Sequence, residues 1–207
     1  MRAQALVVLT IGHSTHSLEA FVSLLKCHGV TALADVRSVP YSHLHSHFDR
    51  STLAAYLKAH GLAYLFLGHQ LGGRPEDGSC YENGRVQYRL LAQTPLFREG
   101  IARVVNGARR YRIALMCAEK EPLECHRTIL IAPALVERGI RVEHILADGS
   151  LEPHEVTMER LLRELGLPNQ DLFRSREETI TEALARQEER IAYVDKSLAV
   201  DVAKRVP

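Results

Sequence analysis

The stretch Ile113-Ala-Leu-Met-Cys117-Ala-Glu119-Lys-Glu-Pro122-Leu-Glu-Cys125-His126-Arg127 decides how the chain is read. It opens as a short, continuous apolar run, the pattern of a strand buried on both faces. Charges and Pro122 then break the run. A helical pattern restarts near Glu124 and reaches about Arg138, with a kink expected at Pro133 inside it. A strand that hands over to a helix in this way is one unit of an alternating α/β fold. Two thiols, an imidazole, carboxylates and a guanidinium fall at the junction, where open parallel sheets place their sites.

Working outward, the same alternation recurs. Residues 5–11, 31–36, 63–67 and 141–147 are further short apolar runs. A helix from Leu18 is capped by Ser17 and stopped near Gly29. A second, from about Thr52 to His60, has Ser51 as its expected cap and Gly61 as its stop. A third begins at Thr94-Pro95 and reaches about Arg109. This predicts an α/β fold with a mostly parallel five-stranded sheet and helices on both faces, a Rossmann-like three-layer arrangement. Residues 68–86 are rich in glycine and without period, so a long loop of functional interest is expected there. Two helical patterns follow, near 155–165 and 177–199, the last opened by a capping box of Ser175 and Glu178. Residues 1–150 are read as an α/β core. Residues 151–207 are read as a helical C-terminal extension packed on the same domain, because the linker at 166–170 is short.

The totals narrow the function classes. In 207 residues, 46% are apolar and 25% charged, with a net charge of +1, which is ordinary for a soluble globular protein. Lys and Arg number 17 against 13 Asp and Glu up to residue 150, and 9 against 12 beyond it. No overall basic field demands nucleic acid or an anionic membrane. The first apolar run is too short for a membrane span and lacks a signal peptide's layout. Four cysteines, Cys27, Cys80, Cys117 and Cys125, are too few for a disulfide scaffold. A cytoplasmic protein with reduced thiols is expected.

Each strand passes to unusual residues at its carboxyl end. These are Gly12, His13 and Ser14 after the first, and Asp35, Arg37 and Ser38 after the second. Cys117 and Glu119 follow the fourth, Asp148 the fifth, and the third enters the loop at 68–74. In a parallel sheet they share one edge and line a polar cleft.

Cys117 and Cys125 admit three readings. As nucleophiles or redox thiols near a helix start they would be served by His126 or Glu119 as acid/base. As metal ligands, two Cys and a His supply three donors for zinc, though adjacent Cys125 and His126 are poorly spaced for one ion and no C-x-x-C completes the set. As structural residues they are small buried groups. Arg127 in a first helical turn opposes the helix dipole unless an anion is near, so it binds a phosphate or carboxylate, or pairs with Glu119, Glu121 or Glu124. His43, His45 and His47 form either a metal patch or, the preferred reading, a solvated loop. Arg98, Arg103, Arg109, Arg110 and Arg112 make a basic stretch with only Tyr111 as an interleaved aromatic, so nucleic acid is not the favoured partner.

Taken together, several pieces resemble a known family. They are Thr10-Ile-Gly-His-Ser14, Asp35-Val-Arg-Ser-Val-Pro40, Tyr64 to Gly68, Leu71-Gly-Gly-Arg-Pro75, and Met116 to Lys120 with Cys125, His126 and Arg127. They are similar, colinearly over about residues 6–150, to the bacterial and archaeal family of domain of unknown function 488. His154-Glu-Val-Thr and Leu167-Pro-Asn-Gln-Asp-Leu-Phe173 resemble that family's tail. The His43–His47 tract departs from it. The resemblance implies a compact α/β fold with a cleft built from these motifs, and it implies no particular reaction.

The expectation from residue chemistry is an enzyme that binds an anionic small molecule, nucleotide-like or phosphorylated. Gly12, His13, Ser14, Asp35, Arg37, Ser38 and Arg127 would bind the substrate, and Cys117, Cys125, His126 and Glu119 would carry the chemistry. This reading assigns no metal ligand and no cofactor. The alternatives are a metal-binding protein using Cys117 and Cys125, or a non-catalytic module for nucleotides or nucleic acid. The oligomeric state is left open.

Overall fold

The computed structural model describes residues 6–41, 45–169 and 173–198. Ala5, His43, residues 170–172 of the tail motif and the expected end of the last helix at 199 lie outside them.

From β1 (Val7–Gly12) the chain passes through α1 (Leu18–Cys27), β2 (Ala32–Asp35), α2 (Arg50–Ala59) and β3 (Ala63–Phe66). A short helix α3 (Gly68–Leu71) and a hairpin of β4 (Tyr81–Glu82) and β5 (Arg85–Val86) follow. Next come α4 (Tyr88–Leu91), α5 (Pro95–Ala108) and β6 (Ile113–Cys117). The remainder is α6 (Ala132–Val136), β7 (Arg141–Ile145), β8 (Leu151–Pro153), α7 (His154–Glu164) and α8 (Arg176–Ile191). The main sheet has the order β3-β2-β6-β1-β7-β8, with every neighbour parallel except β7 and β8. This is a mostly parallel α/β fold.

Alternation along the strands divides the core. Leu9, Ile11, Leu33, Ala114 and Met116 meet Phe21 and Leu25 of α1 and Leu53 and Leu57 of α2 on one face. Val8, Ala34 and Leu115 meet α5, α6, α7 and α8 on the other, through Phe97, Ile101, Leu135, Leu161 and Ala183. The apolar strands thus lie between two helical layers, which is why they read as continuous apolar runs.

The cap residues act as expected. Ser17 accepts from the Ala20 amide at 3.2 Å and Thr94 from that of Phe97 at 3.1 Å. Ser175 and Glu178 close a full capping box, each side chain accepting from the other's amide.

Several expectations need correction. The sheet has six strands rather than five, because the chain turns at Asp148 and Gly149 and lays β8 antiparallel on β7. The second helix starts at Arg50, before the expected Ser51 cap. Residues 68–86 hold α3, a 3₁₀ turn at Gly78–Cys80 and the β4–β5 hairpin, elements too short to establish a period. The helix expected from Glu124 is broken. A 3₁₀ turn spans Pro122–Glu124, Cys125 is extended, and a π-helical turn over Arg127–Ile131 precedes α6. Pro133 has no amide to donate, and the wider turn, with the Ala132 amide bonded to the Arg127 carbonyl, takes the place of the expected kink. The last helix stops at Ile191, where Ala192 turns extended.

Residues beyond 191 then run along the hairpin. The Val86 amide donates to the Tyr193 carbonyl (3.0 Å) and the Asp195 amide to that of Gly84 (2.7 Å). Gln187 donates to the Leu123 carbonyl at 2.9 Å and Glu188 accepts from the Tyr88 amide, so α8 is tied to both the hairpin and the loop after β6. Among the described residues, no helix is long and apolar enough to cross a membrane.

Candidate functional site

The carboxyl ends of β2, β6 and β1 lie side by side, so Asp35, Cys117 and Gly12 start from neighbouring positions on one sheet edge. The loop after β6 continues the pairing for two residues, with the His13 and Ser14 amides donating to the Cys117 and Ala118 carbonyls. Gly12 permits this closeness: a β-carbon on it would overlap the Glu119 carbonyl and come within 3.3 Å of an Arg127 nitrogen.

Four reactive side chains meet beyond the end of β6. Glu119 Oε2 lies 2.9 Å from Cys117 Sγ and 3.1 Å from Cys125 Sγ. His126 Nδ1 lies 3.6 Å and 3.8 Å from the same two sulfurs. The opposite ring nitrogen, Nε2, is 3.1 Å from the Val36 carbonyl. A carbonyl only accepts, so Nε2 carries the proton and the Nδ1 lone pair faces the thiols. Cys125 and His126, expected to diverge as neighbours, converge because the backbone switches from extended at Cys125 (φ −134°, ψ 138°) to helical at His126 (φ −59°, ψ −24°).

Cys117 and Cys125 are buried, His126 is half-buried and Glu119 is open to solvent at the cleft, and the group is electrostatically asymmetric. Burial opposes ionisation of both thiols. At Cys125 the hydrogen bond from Cys117, with Arg127 and His126 nearby, overrides this and holds the thiol well below its ordinary range. Cys117 is pushed up by burial and by that same partner. Partial desolvation, then Cys125, raises Glu119. Burial works against charge on His126, and the Cys125 charge outweighs it, so its pKa is raised.

Beside this cluster stands a pre-organised guanidinium. Arg37 donates through Nε and Nη2 to the two oxygens of fully buried Asp35, at 2.9 and 2.7 Å. Nη2 also donates to the Phe48 carbonyl (2.9 Å) and Nη1 to His13 Nε2 (3.4 Å). Tyr64 adds a hydroxyl donor to Asp35 at 2.9 Å. A guanidinium has five N–H donors. Four are thus committed and one on Nη1 remains.

A cavity of about 370 Å³ opens over these groups. Cys117, Glu119 and His126 form its floor, and Arg37, Ser38, Arg74, Tyr88, Ile191 and Tyr193 are among its walls. A second hollow, lined by His13, Ser14, Thr15 and His45, shares Arg37, Val39, Tyr41, Ala118 and Glu119 with the first. Gly73 packs over the His126 ring, and Ser38 Oγ accepts from the Arg74 amide at 2.9 Å.

Of the residues expected at the site, Cys117, Glu119, His126, Arg37 and Ser38 line the cavity, and His13 and Ser14 line its extension. Cys125 lies behind the floor, and Asp35 acts through Arg37. Arg127 has a different place from the one expected. Because the helix starts late, its side chain is fully buried beneath the loop, donating to the Glu119 (2.8 Å) and Lys120 (3.3 Å) carbonyls, and it lines neither hollow. Sequence reasoning missed Tyr88, Ile191 and Tyr193, which reach the cleft from distant elements. Arg74 stood in the Leu71–Pro75 motif, and its guanidinium lies 4.6 Å over the Tyr193 ring. His45 lines the second hollow, its ring 6.1 Å from that of His13, and His47 bonds to the His16 carbonyl; the third histidine of that tract, His43, lies outside the described residues.

Three buried histidines set a pH dependence. His13 is stacked on Phe48 at 4.3 Å, and burial, with Arg37 beside it, lowers its pKa to about 4. His154, bonded to His144 Nε2 at 3.1 Å, is lowered by burial to about 4, and His144, which also meets Thr10, lies well below its ordinary value. The unfolded chain protonates these groups near pH 6.5 while the folded chain does not, so stability falls as pH drops from 6.5 towards 4. Each of His13 and His154 contributes up to about 1.4 kcal/mol per pH unit there, while His126, whose pKa is raised, acts only above about pH 6.5, where its contribution is lost as pH rises. Urea unfolding at pH 7, 6 and 5 checks this, and a flat or rising stability would contradict it.

No curated protein and no solved structure matches this chain. A family model does match, over residues 17–133, more than half of the chain, and that span contains β2, β6 and all four members of the thiol cluster. The chain therefore belongs to the family described as domain of unknown function DUF488.

Proposed function

We propose that the cleft is the active site of an enzyme acting on a small anionic molecule, nucleotide-like or phosphorylated. One observation carries this reading: a guanidinium, Arg37, held by four hydrogen bonds, and a thiol, a carboxyl and an imidazole line the same cavity of about 370 Å³. Arg37, with Arg74 at the rim, would hold the anionic group. Asp35, His13 and the Phe48 carbonyl keep Arg37 in place, so little side-chain entropy is lost on binding. Partial desolvation on the cavity floor, then Cys125, raises the pKa of Glu119. The reacting part of the ligand would face Cys117, Glu119 and His126, where Glu119 and His126 handle protons and the sulfurs act as electron donors.

Thermal melting with inorganic phosphate and a panel of nucleoside monophosphates tests the proposal. Binding to the native state raises Tm, and Arg37→Lys should weaken the affinity read from the shift at least tenfold by losing the fork geometry. If no anion shifts Tm, or if Arg37→Lys leaves a shift unchanged, the reading fails.

A further inference from the structure

We infer that Cys117, Cys125 and His126 form a three-donor site for a divalent zinc-class cation, with its fourth position open to the cleft. Their ligand atoms all lie within 4.8 Å of one another. In a tetrahedral site with ordinary zinc–sulfur and zinc–nitrogen bonds, a sulfur and a nitrogen stand about 3.6 Å apart. The two sulfur-to-Nδ1 separations are 3.6 and 3.8 Å. The two sulfur–nitrogen edges therefore already match such an ion, and the sulfur–sulfur edge lies within 4.8 Å.

Three further features point the same way. The Val36 carbonyl fixes the tautomer that aims the Nδ1 lone pair at the sulfurs, the support that metal-bound imidazoles receive from a second partner. Two thiols and a carboxyl, all acidic, crowd around one imidazole, an arrangement that a divalent cation neutralises. As the two metal–sulfur bonds form, the two S–H protons leave to solvent. Finally, Cys117 and His126 face the cavity with Glu119 between them, so a fourth position there is reached from the cleft. Closed structural sites use four protein ligands, whereas three with an open place is the catalytic pattern. Glu119 is nearer the sulfurs than a fourth ligand would be, at 2.9 and 3.1 Å, which suits a group that takes a proton from whatever occupies the open position. Paired thiolates select zinc over magnesium or calcium.

This deepens the reading of the cleft as an active site and rests on it for the role of the open position; with Cys117, Cys125 and His126 as ligands, the proton-handling role falls to Glu119 alone. The full chain, purified reduced and without a histidine tag, is to be loaded with zinc, dialysed and assayed for bound metal. One equivalent is expected, falling below a tenth in Cys117→Ser and His126→Asn, and unchanged in Cys27→Ser, which alters an exposed thiol elsewhere. Should the site variants fail to fold, cobalt replaces them as the test: in the wild-type chain, tetrahedral thiolate coordination gives intense visible bands. Folded wild-type protein that takes up less than a tenth of an equivalent, or that gives only the pale spectrum of six-coordinate cobalt, overturns the site. Phosphate binding through Arg37 without stoichiometric zinc would overturn the metal site and leave the cleft reading standing. Zinc at one equivalent with no response to any anion would support the site and remove the anionic substrate.

Discussion

Gly12→Ala is expected to destabilise the protein by about 3 kcal/mol. The strand position itself tolerates any residue; the obstacle is what lies above it. An added methyl would occupy the place of the Glu119 carbonyl, and backbone cannot rotate aside as a flexible side chain does. That carbonyl is also held from the far side by Arg127 Nη1 at 2.8 Å. Either β1 must part from β6, breaking the pairing of Gly12 with Cys117, or the loop must lift and carry Glu119 off the sulfurs. Urea titration reads the first cost and metal or anion binding reads the second. A variant within about 0.5 kcal/mol of wild type, with binding intact, would mean that the loop is not pinned against the strand.

Asp35→Asn should cost still more, about 3–5 kcal/mol, the usual result of removing one partner from a buried ion pair. Asp35 is fully buried and receives two side-chain bonds from Arg37, one from its amide and one from Tyr64. The amide form keeps the shape, but it loses the charge that compensates the guanidinium and can offer only one oxygen. The diagnostic comparison is with Asp35→Asn/Arg37→Met. Removing both charges should recover part of the loss, because the single variant leaves a charge buried without its partner. Strict additivity of the two changes in urea unfolding would argue that the pair is not coupled.

Much of this was legible in the chain. Continuous apolar runs located the inner strands β1, β2 and β6, which are covered on both faces and have no polar side to show; the edge strand β3 was located by its apolar composition although it is partly exposed. Ser17, Thr94 and Ser175 marked helix starts through a local mechanism, a side chain accepting from amides left unpaired. The gathering of Gly12, Asp35, Arg37, Cys117 and Glu119 on one edge followed from parallel topology alone. Elements of two to four residues, such as β8 and α3, were not legible, since nothing that short repeats. Arg127 was misplaced for a related reason. In a regular helix from Glu124 it would sit in the first turn, whereas the extended Cys125 and the π-helical turn move it under the loop. Tyr88, Ile191 and Tyr193 reach the cleft only through contacts between elements about a hundred residues apart, as in the bond from the Tyr88 amide to Glu188.

The strap formed by residues beyond 191 has a consequence for selectivity. The family match ends at residue 133, so the thiol cluster and Arg37 fall within it while Ile191 and Tyr193, which wall the cleft, do not. Part of the cleft wall is thus written outside the stretch that carries the thiol cluster, although Arg37, Ser38, Arg74 and Tyr88 lie within it. Substituting at 191 would reshape the cleft without touching a sulfur, an imidazole or Arg37, whereas substituting at 193 would also release Arg74 from the ring it lies over. On the proposed reading, the tail would be the dial for which molecule enters, and the end of β6 the dial for what happens to it.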